Sequence, residues 1–240
     1  DRWGGEMQWT PEYRGGDSIY GESIYTSRYE IIGKYQLPVK ERLMSSFSFS
    51  DHQQNSFYGN VPYIAHQKIA FGQLFWDKKV GKNDFLVGTA IRYNFYDDNT
   101  AATQTADSIN PKNQPDNAFL PGVFIQHGYK INTKHKTLVG LRYDYDSRHG
   151  TIFTPRFNYK WTPNETNTIR LSLGTGYRVV NLFTEDHAAT TGAREVVIKG
   201  SLAPETSYNA NLNYQKMVTT KFGFINFDIS GFYTYFNNKI

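Results

Sequence analysis

The chain has 240 residues, a formal net charge of +4 and no cysteine. The charge is small and no block of five or more basic residues occurs, so the sequence lacks the electrostatic footprint of a nucleic-acid-binding protein. Without cysteine, disulfides and thiolate metal sites are excluded. Aromatic residues make up 16% of the chain while hydrophobic residues make up only 39%, a combination that is unusual for a close-packed soluble core.

Membrane-spanning helices and secretion signals are not predicted. No run of about 18 apolar residues occurs, which excludes a transmembrane helix. The first residues, DRWGGEMQWT, have no apolar core of the kind that a signal peptide carries.

Strict alternation of apolar and polar residues runs through the whole chain and predicts strands rather than helices. We predict about ten long strands. In chain order, they cover residues 25–37, 42–50, 61–77, 85–95, 118–131, 138–146, 152–161, 169–178, 206–217 and 224–235. Globular strands average roughly 5–6 residues, whereas a tilted membrane-spanning strand needs roughly 9–11, so the lengths favour a membrane barrel.

Each predicted strand has one apolar and one polar face. In 85–95, Phe85, Val87 and Ile91 share a face that is opposite to Gly88 and Ala90. The polar faces together carry charges of both signs, which suits a wide, hydrated barrel interior: Arg92, Arg142, Asp144, Arg156, Lys160 and Arg170. Cross-strand ion pairs are the alternative role for these arginines.

The predicted connections alternate between short and long. Short turns fall at 37–42, 79–84, 132–136, 162–167 and 217–223, and the other connections are 51–60, 97–117, 146–151 and 178–205. All of the second set except 146–151 are long and polar. Short turns at one end and long loops at the other are typical of an outer-membrane barrel.

Aromatic residues gather near the predicted strand ends, as in the girdles that flank a lipid-facing wall. They are Tyr93, Phe95, Tyr96, Tyr143, Tyr145, Tyr159, Trp161, Tyr233, Tyr235 and Phe236.

Motifs for catalysis or cofactor binding are weak. The sequence GTGYR (174–178) contains G-x-G but lacks the third glycine and the following helix of a dinucleotide-binding loop. We therefore interpret its glycines as positions without a side chain that leave space for groups packed inside a barrel. The adjacent Glu185, Asp186 and His187 have no metal-site spacing, and we expect them in a solvated loop. We expect no enzyme activity, no cofactor and no metal site.

A stretch of the sequence closely resembles the barrels of TonB-dependent outer-membrane receptors. The residues that carry the resemblance are LRYDYD (141–146), TPRFNYKW (154–161), IRLSLGTGYRVVNLFTE (169–185) and LAPETSYNANLNY (202–214), and they occur in the order that the family shows. SRYEIIGKY (27–35) and FGQLFW (71–76) also fit. The resemblance covers about residues 20–240 and is strongest to a siderophore and cobalamin branch of Bacteroidetes type.

The resemblance implies an all-β, antiparallel transmembrane barrel of 22 strands filled by a plug domain. About ten strands and no plug segment are expected in residues 1–240, so we expect a partial barrel domain. The implied function is active uptake of a ferric siderophore or cobalamin at the bacterial outer membrane. The implied partners are outer-membrane lipid, the receptor's own plug, the TonB complex and the small-molecule cargo, without nucleic acid. The residues expected to contact cargo or plug are Arg142, Arg156, Arg178, Asn181, Glu185, Asp186, His187 and Arg194.

Two other functions remain open from the sequence. A passive porin or outer-membrane adhesin would share the barrel and lack a plug. A soluble all-β domain that binds glycans would also show alternating strands.

Overall fold

The computed structural model describes residues 2–105, 109–178 and 204–237, and these form one antiparallel sheet. Each strand pairs with the next along the chain, so the spatial order equals the sequence order. The strands are β1 (Arg2–Gly5), β2 (Gly21–Gln36), β3 (Leu43–Tyr58), β4 (Val61–Val80), β5 (Asn83–Asp98), β6 (Asp116–Lys130), β7 (His135–Asp146), β8 (Gly150–Asn164), β9 (Asn167–Arg178), β10 (Glu205–Thr220) and β11 (Gly223–Asn237). Two short 3₁₀ segments lie at Pro11–Tyr13 and Ala101–Thr103. Within the described residues, no helix is long and apolar enough to cross a membrane.

The all-β prediction is confirmed, and each of the ten predicted strands corresponds to one of β2 to β11. Their lengths of 12 to 20 residues exceed the predicted ones at most ends. The short strand β1 was not predicted. We name the end that carries the turns β2–β3, β4–β5, β6–β7, β8–β9 and β10–β11 the short-turn end, and the opposite end the long-loop end.

The predicted long connection at 51–60 is wrong. Strand β3 continues to Tyr58, and only Gly59 and Asn60 separate it from β4. Gly59 has φ +61°, a conformation that glycine adopts without the strain of a side chain. Residues 51–56 are polar on both faces, so the alternation ends there although the ladder of backbone hydrogen bonds continues.

The other three connections predicted at the long-loop end differ in how far the structure supports them. The connection 97–117 is shortened by β5 and β6, and Thr100 caps the 3₁₀ segment inside it by accepting from the Ala102 N–H at 3.2 Å. The brief connection at 146–151 is confirmed as a turn between β7 and β8. Most of the predicted loop 178–205 lies outside the described residues.

Cross-strand register places the apolar residues of neighbouring strands in continuous rows on one side of the sheet, which we call the apolar face. One row joins Val123, Tyr143 and Phe153, and another joins Val139, Phe157 and Leu173. These side chains are exposed or half-buried, although they are apolar. An apolar surface this extensive is not stable in water and requires an apolar environment or partner.

The opposite side of the sheet, the polar face, carries most of the charged and small residues of these strands. It also differs from the sequence prediction in three places. Phe236 of the predicted girdle lies on the polar face, because it pairs in register with Ser207, and Ser207 pairs with Gly176. Tyr96, which was grouped with the aromatic girdle, lies on the polar face, where its hydroxyl is 2.7 Å from that of Tyr63. Strand β4 adds Ile69 and Phe71 to the same face, because they pair in register with Asn94 and Arg92.

The segment before β2 is fastened to the sheet by Arg14. Its guanidinium stacks between two rings, with its carbon 4.6 Å from the Tyr25 centroid and 4.4 Å from the Phe57 centroid. It also donates to Ser23 Oγ at 3.0 Å and to the Asn55 side-chain oxygen at 2.8 Å. Ser23 is almost fully buried beneath it. One side chain therefore joins the segment 6–20 to both β2 and β3.

At the short-turn end, Glu41 connects the β2–β3 turn to β4. It accepts from Trp76 Nε1 at 3.2 Å and from Lys78 Nζ at 3.0 Å. These hydrogen bonds lower the pKa of Glu41 below its ordinary value. The contact is therefore present at neutral pH and is lost as the pH falls through that lowered pKa.

Replacing Arg14 with alanine should loosen the segment 6–20 without unfolding the sheet. The loss of two ring contacts and the hydrogen bonds should cost about 2 kcal/mol locally. The expected result is a roughly thirtyfold faster hydrogen exchange of amides in 6–20, measured by mass spectrometry on the intact protein. Arg28→Ala is the matched control, because among the described residues Arg28 makes a single, exposed ion pair, with Glu30 at 3.2 Å. Equal exchange in both variants would contradict this role of Arg14.

Candidate functional site

The polar face contains a depression of about 360 Å³ that combines apolar and cationic residues. Ile69, Phe71 and Leu120 supply the apolar part, and Arg92 and Arg142 supply the charge. Arg92 lies between Phe71 and Leu120 in register. Among the described residues, the Arg92 side chain has no hydrogen bond or ion pair. An unpaired guanidinium beside apolar side chains is suited to bind an anionic group that also carries an apolar surface.

Arg142 is held in place by Asp144 on the same strand. Its Nε and Nη2 atoms donate to the two carboxylate oxygens at 2.6 and 2.7 Å. The Asp144 side chain is 8% exposed, whereas that of Arg142 is 37% exposed. The pair is possible because the facing residue is Gly122: a Cβ added there would lie 1.9 Å from Asp144 Oδ1. Arg142 is therefore orientated but still accessible at the depression.

Arg156 and Arg178 also lie on the polar face, in different environments. Arg156 pairs in register with Gly140 and Gly174, is exposed, and has no side-chain hydrogen bond or ion pair among the described residues. Arg178 pairs in register with Glu205 and lies 3.7 Å from its carboxylate. The cross-strand ion pairs that the sequence left as an alternative role for these arginines are therefore present at Arg178, which pairs with Glu205. The acidic partner of Arg142 is Asp144, which lies on the same strand.

The two glycines of GTGYR lie on the polar face, as the sequence predicted. Gly174 faces Arg156, and an added Cβ there would make only ordinary contacts. At Gly176 an added Cβ would lie 2.6 Å from Ser207 Oγ on β10. Gly176 therefore makes room for a neighbouring strand's side chain, and Gly174 leaves open space beside Arg156.

Buried carboxylates near the long-loop end have structural partners. Asp98 accepts from the Tyr96 hydroxyl at 2.7 Å and from the Thr100 N–H at 2.8 Å. Asp146 accepts from the N–H groups of Arg148 and His149 and so closes the β7–β8 turn. Through these hydrogen bonds, both acids stabilise the long-loop end of the wall.

A larger depression of about 570 Å³ lies on the apolar face, between β7 and β11. Leu141, Pro155, Leu173, Tyr208 and Tyr233 line it. Arg156 is the one charged residue in its lining, and by register this residue belongs to the polar face, so we place the candidate site on the polar face.

All 240 residues match the family described as TonB dependent receptor-like, beta-barrel. The chain belongs to this family. The protein is therefore an outer-membrane β-barrel protein, and the antiparallel sheet is part of a barrel wall. The family is one of transport receptors.

The iron-regulated outer membrane virulence protein of Vibrio cholerae serotype O1 is a curated relative. It is 27% identical over 139 residues, which are 57% of this chain and 21% of that protein. The match thus spans about a fifth of the length of this relative.

Two solved structures share the fold of this TonB-dependent receptor wall. The siderophore receptor PirA from Pseudomonas aeruginosa superposes with a TM-score of 0.66 at 13% identity, over 90% of this chain and 40% of that one. The FrpB iron transporter from Neisseria meningitidis gives a TM-score of 0.62 at 15% identity, over 90% and 36% of the two chains. At these identities the likeness shows the fold alone.

The structure brings only some of the predicted site residues together. Arg142, Arg156 and Arg178 lie on one face, spread over β7, β8 and β9. The remaining five predicted residues lie outside the described residues: Asn181, Glu185, Asp186, His187 and Arg194. Sequence analysis placed Arg92 on the polar face but did not include it in the site, because its neighbours Phe71 and Leu120 come from strands whose register the sequence does not reveal.

Replacing Gly122 with alanine should disrupt the Arg142–Asp144 pair. The new Cβ would occupy the position of Asp144 Oδ1, and displacing a buried carboxylate from its partner should cost about 1–3 kcal/mol. The measurement is the free energy of urea unfolding of the intact receptor in detergent micelles. Gly72→Ala is the control, because a Cβ at Gly72 meets only Ile91 Cγ2 at 3.4 Å. If both variants unfold at the same urea concentration, Gly122 does not have this role.

Proposed function

We propose that the chain forms part of the barrel wall of a receptor that takes up a scarce, anionic iron chelate across the outer membrane. The observation that carries this proposal is the family match over the whole chain, combined with a sheet that has one apolar and one polar face. The apolar face lies against membrane lipid, and the polar face lines the barrel interior.

The cargo class follows from the site and from the relatives. The names of the matched proteins refer to siderophore receptors, an iron transporter and an iron-regulated protein. In this chain, Arg92 and Arg156 are exposed guanidinium groups on the interior face, and Phe71 adds an aromatic surface beside Arg92. We propose a ferric siderophore as the cargo, with cobalamin as the second choice, and membership of a Bacteroidetes-type branch.

Active transport across the outer membrane requires other parts of the receptor besides this section of the barrel wall. We propose that the intact receptor has a plug inside the barrel and is energised by the TonB complex. The apolar part of the polar face supports an internal partner, because Ile69, Phe71 and Leu120 would otherwise face water. No bond in the cargo is made or broken in this function, and the wall supplies binding surface rather than catalytic groups.

The test of this function is uptake of a radiolabelled ferric siderophore by cells that express the intact receptor. Uptake should be saturable and should stop when the TonB complex is deleted. Uptake that persists without TonB would contradict the proposal and favour a passive porin. The absence of binding to any ferric siderophore would refute the cargo class.

The double variant Arg92→Ala with Arg156→Ala should weaken cargo binding. Hydrogen bonds to a charged group contribute about 1.5–3 kcal/mol each, so the loss of affinity on removing both arginines should exceed about a hundredfold. Equilibrium binding to the purified receptor measures it. Arg28→Ala serves as the control, because it removes one cation from the same face where it already pairs with Glu30. Unchanged affinity in the double variant would show that these two arginines do not bind the cargo.

A further inference from the structure

The ladder between β8 and β9 ends before either strand does. Its last pair towards the long-loop end is Arg156 with Gly174. Both strands continue beyond this pair, and there, among the described residues, β8 pairs only with β7 and β9 pairs only with β10. The facing edges at 150–155 and 175–178 are therefore not paired with each other. We call the gap between them the wall opening.

The wall opening begins at a depth where lipid surrounds a barrel. Gly174 is seven residues above Asn167, the first residue of β9. At about 3.3 Å per residue and a strand tilt of about 40°, the opening starts about 18 Å above the short-turn end of β9. The apolar band of outer-membrane barrels is about 25 Å tall, so the lower part of the opening lies within it. Unpaired backbone N–H and C=O groups at that depth need hydrogen-bond partners.

Two side chains on the β9 edge of the wall opening also lack partners. The hydroxyl groups of Thr175 and Tyr177 are buried, and neither has a hydrogen-bond partner among the described residues. Both side chains belong to the apolar face, because they alternate with Gly174 and Gly176 of the polar face. Buried hydroxyls are normally hydrogen-bonded, so these two indicate a group that accepts hydrogen bonds at the opening.

The apolar depression of about 570 Å³ adjoins the wall opening. Thr175 is part of its lining, and the depression continues towards the short-turn end over Phe157 and Leu173. Its volume is within the roughly 300–1,000 Å³ of small-molecule sites. Arg156 does not fill the opening, because its side chain crosses Gly140 of β7: a Cβ added there would lie 3.0 Å from Arg156 Cγ. The two features thus form one surface that is apolar below and polar above.

We propose that the depression and the wall opening bind one acyl chain of an outer-leaflet lipid. The chain lies in the depression, and its ester or carboxylate oxygens lie in the opening beside Thr175 and Tyr177. Tyr177 is about 25 Å above the short-turn end of β9 by the same estimate, at the upper edge of the apolar band, where the polar head of an outer-leaflet lipid begins. Ester oxygens accept hydrogen bonds and donate none, which matches the hydroxyl and N–H donors of the opening.

This inference goes beyond the proposed function, because it concerns the lipid side of the wall and needs no siderophore. An inserted strand of polypeptide would pair with the free edges but would leave the depression below them empty. An acyl chain with an oxygen-bearing head occupies both parts.

A photoactivatable fatty acid tests the site. The probe is palmitic acid that carries a diazirine near the methyl end, added to the intact receptor in dodecyl maltoside micelles. Labelling should be saturable and concentrated on the peptides that contain Phe157 and Leu173. Excess palmitate should compete, whereas hexadecylamine should not, because its ammonium head donates hydrogen bonds and accepts none. Even labelling of the whole apolar face, or equal competition by the amine, would overturn the proposal.

Two variants separate the tail site from the head site. Leu173→Trp should fill the depression and abolish saturable labelling. Leu212→Trp is the matched control, because Leu212 is on the same face, is 55% exposed and does not line the depression. Thr175→Val keeps the side-chain shape without the hydroxyl, so palmitate should compete about fivefold more weakly, the usual contribution of one hydrogen bond. Unchanged competition in Thr175→Val, or lost labelling in both tryptophan variants, would refute the site.

Paired cysteines test the wall opening itself. Phe157 and Leu173 are opposite each other in the ladder, so Phe157→Cys with Leu173→Cys should form a disulfide on oxidation. Phe153→Cys with Tyr177→Cys would be the equivalent pair if the same register continued, and it should remain reduced. Equal disulfide yields in the two double variants would show that the wall is closed and would contradict the proposal.

Native mass spectrometry identifies the source of the acyl chain. The receptor purified from cells grown without siderophore should retain one membrane lipid, and the Leu173→Trp variant should not. No retained lipid in the unaltered receptor would overturn the proposal. Neither Arg92 nor Arg156 is changed in these variants, so siderophore binding reports on the proposed cargo site independently. Retained lipid in a receptor that binds no siderophore would refute the cargo and keep the lipid site.

Discussion

The structure depends on the ladder of backbone hydrogen bonds between neighbouring strands, which has one irregularity between β8 and β9 in the described residues. Each strand from β3 to β10 pairs with a long strand on both sides, whereas β1 pairs only with residues 21–24 of β2. Such pairing is the constraint that a hydrocarbon environment imposes, because an unpaired backbone group there costs several kcal/mol. Once the ladder is fixed, each side chain has only two choices of face, and the separation into apolar and polar faces follows.

Charged side chains on the polar face differ in their hydrogen-bond and ion-pair partners from one end of the strands to the other. Near the long-loop end, Asp98 and Asp146 are buried and accept hydrogen bonds that stabilise the loops. At mid-height, Arg142 is orientated by Asp144 while Arg92 is unpaired among the described residues. At the short-turn end, basic residues face one another across the strands, as Lys130 faces Lys136 and Lys136 faces Lys160. Acidic groups near the long-loop end are thus used mainly in hydrogen bonds to the loops, whereas Arg92 at mid-height is available to bind other groups.

Much of this fold could be predicted from the sequence, because a period of two marks a strand and assigns its faces. Residues 85–95 and 152–161 were placed on the correct faces for this reason. The prediction failed at 51–60, where both faces are polar and the alternation disappears although β3 continues. It also missed the depression at Arg92 and the wall opening, since both depend on cross-strand register, which arises from turn geometry and pairing between distant residues.

The central claim is that the apolar face contacts lipid and the polar face lines the interior. Residues 1–240 contain no cysteine, so once any cysteine elsewhere in the intact receptor is replaced, single cysteines can be spin-labelled along β7 in lipid bilayers. Leu138→Cys and Gly140→Cys test the polar face, and Val139→Cys and Leu141→Cys test the apolar face. We predict that dissolved oxygen relaxes labels at 139 and 141 severalfold more than those at 138 and 140. Equal relaxation at all four positions, or the opposite alternation, would contradict the account.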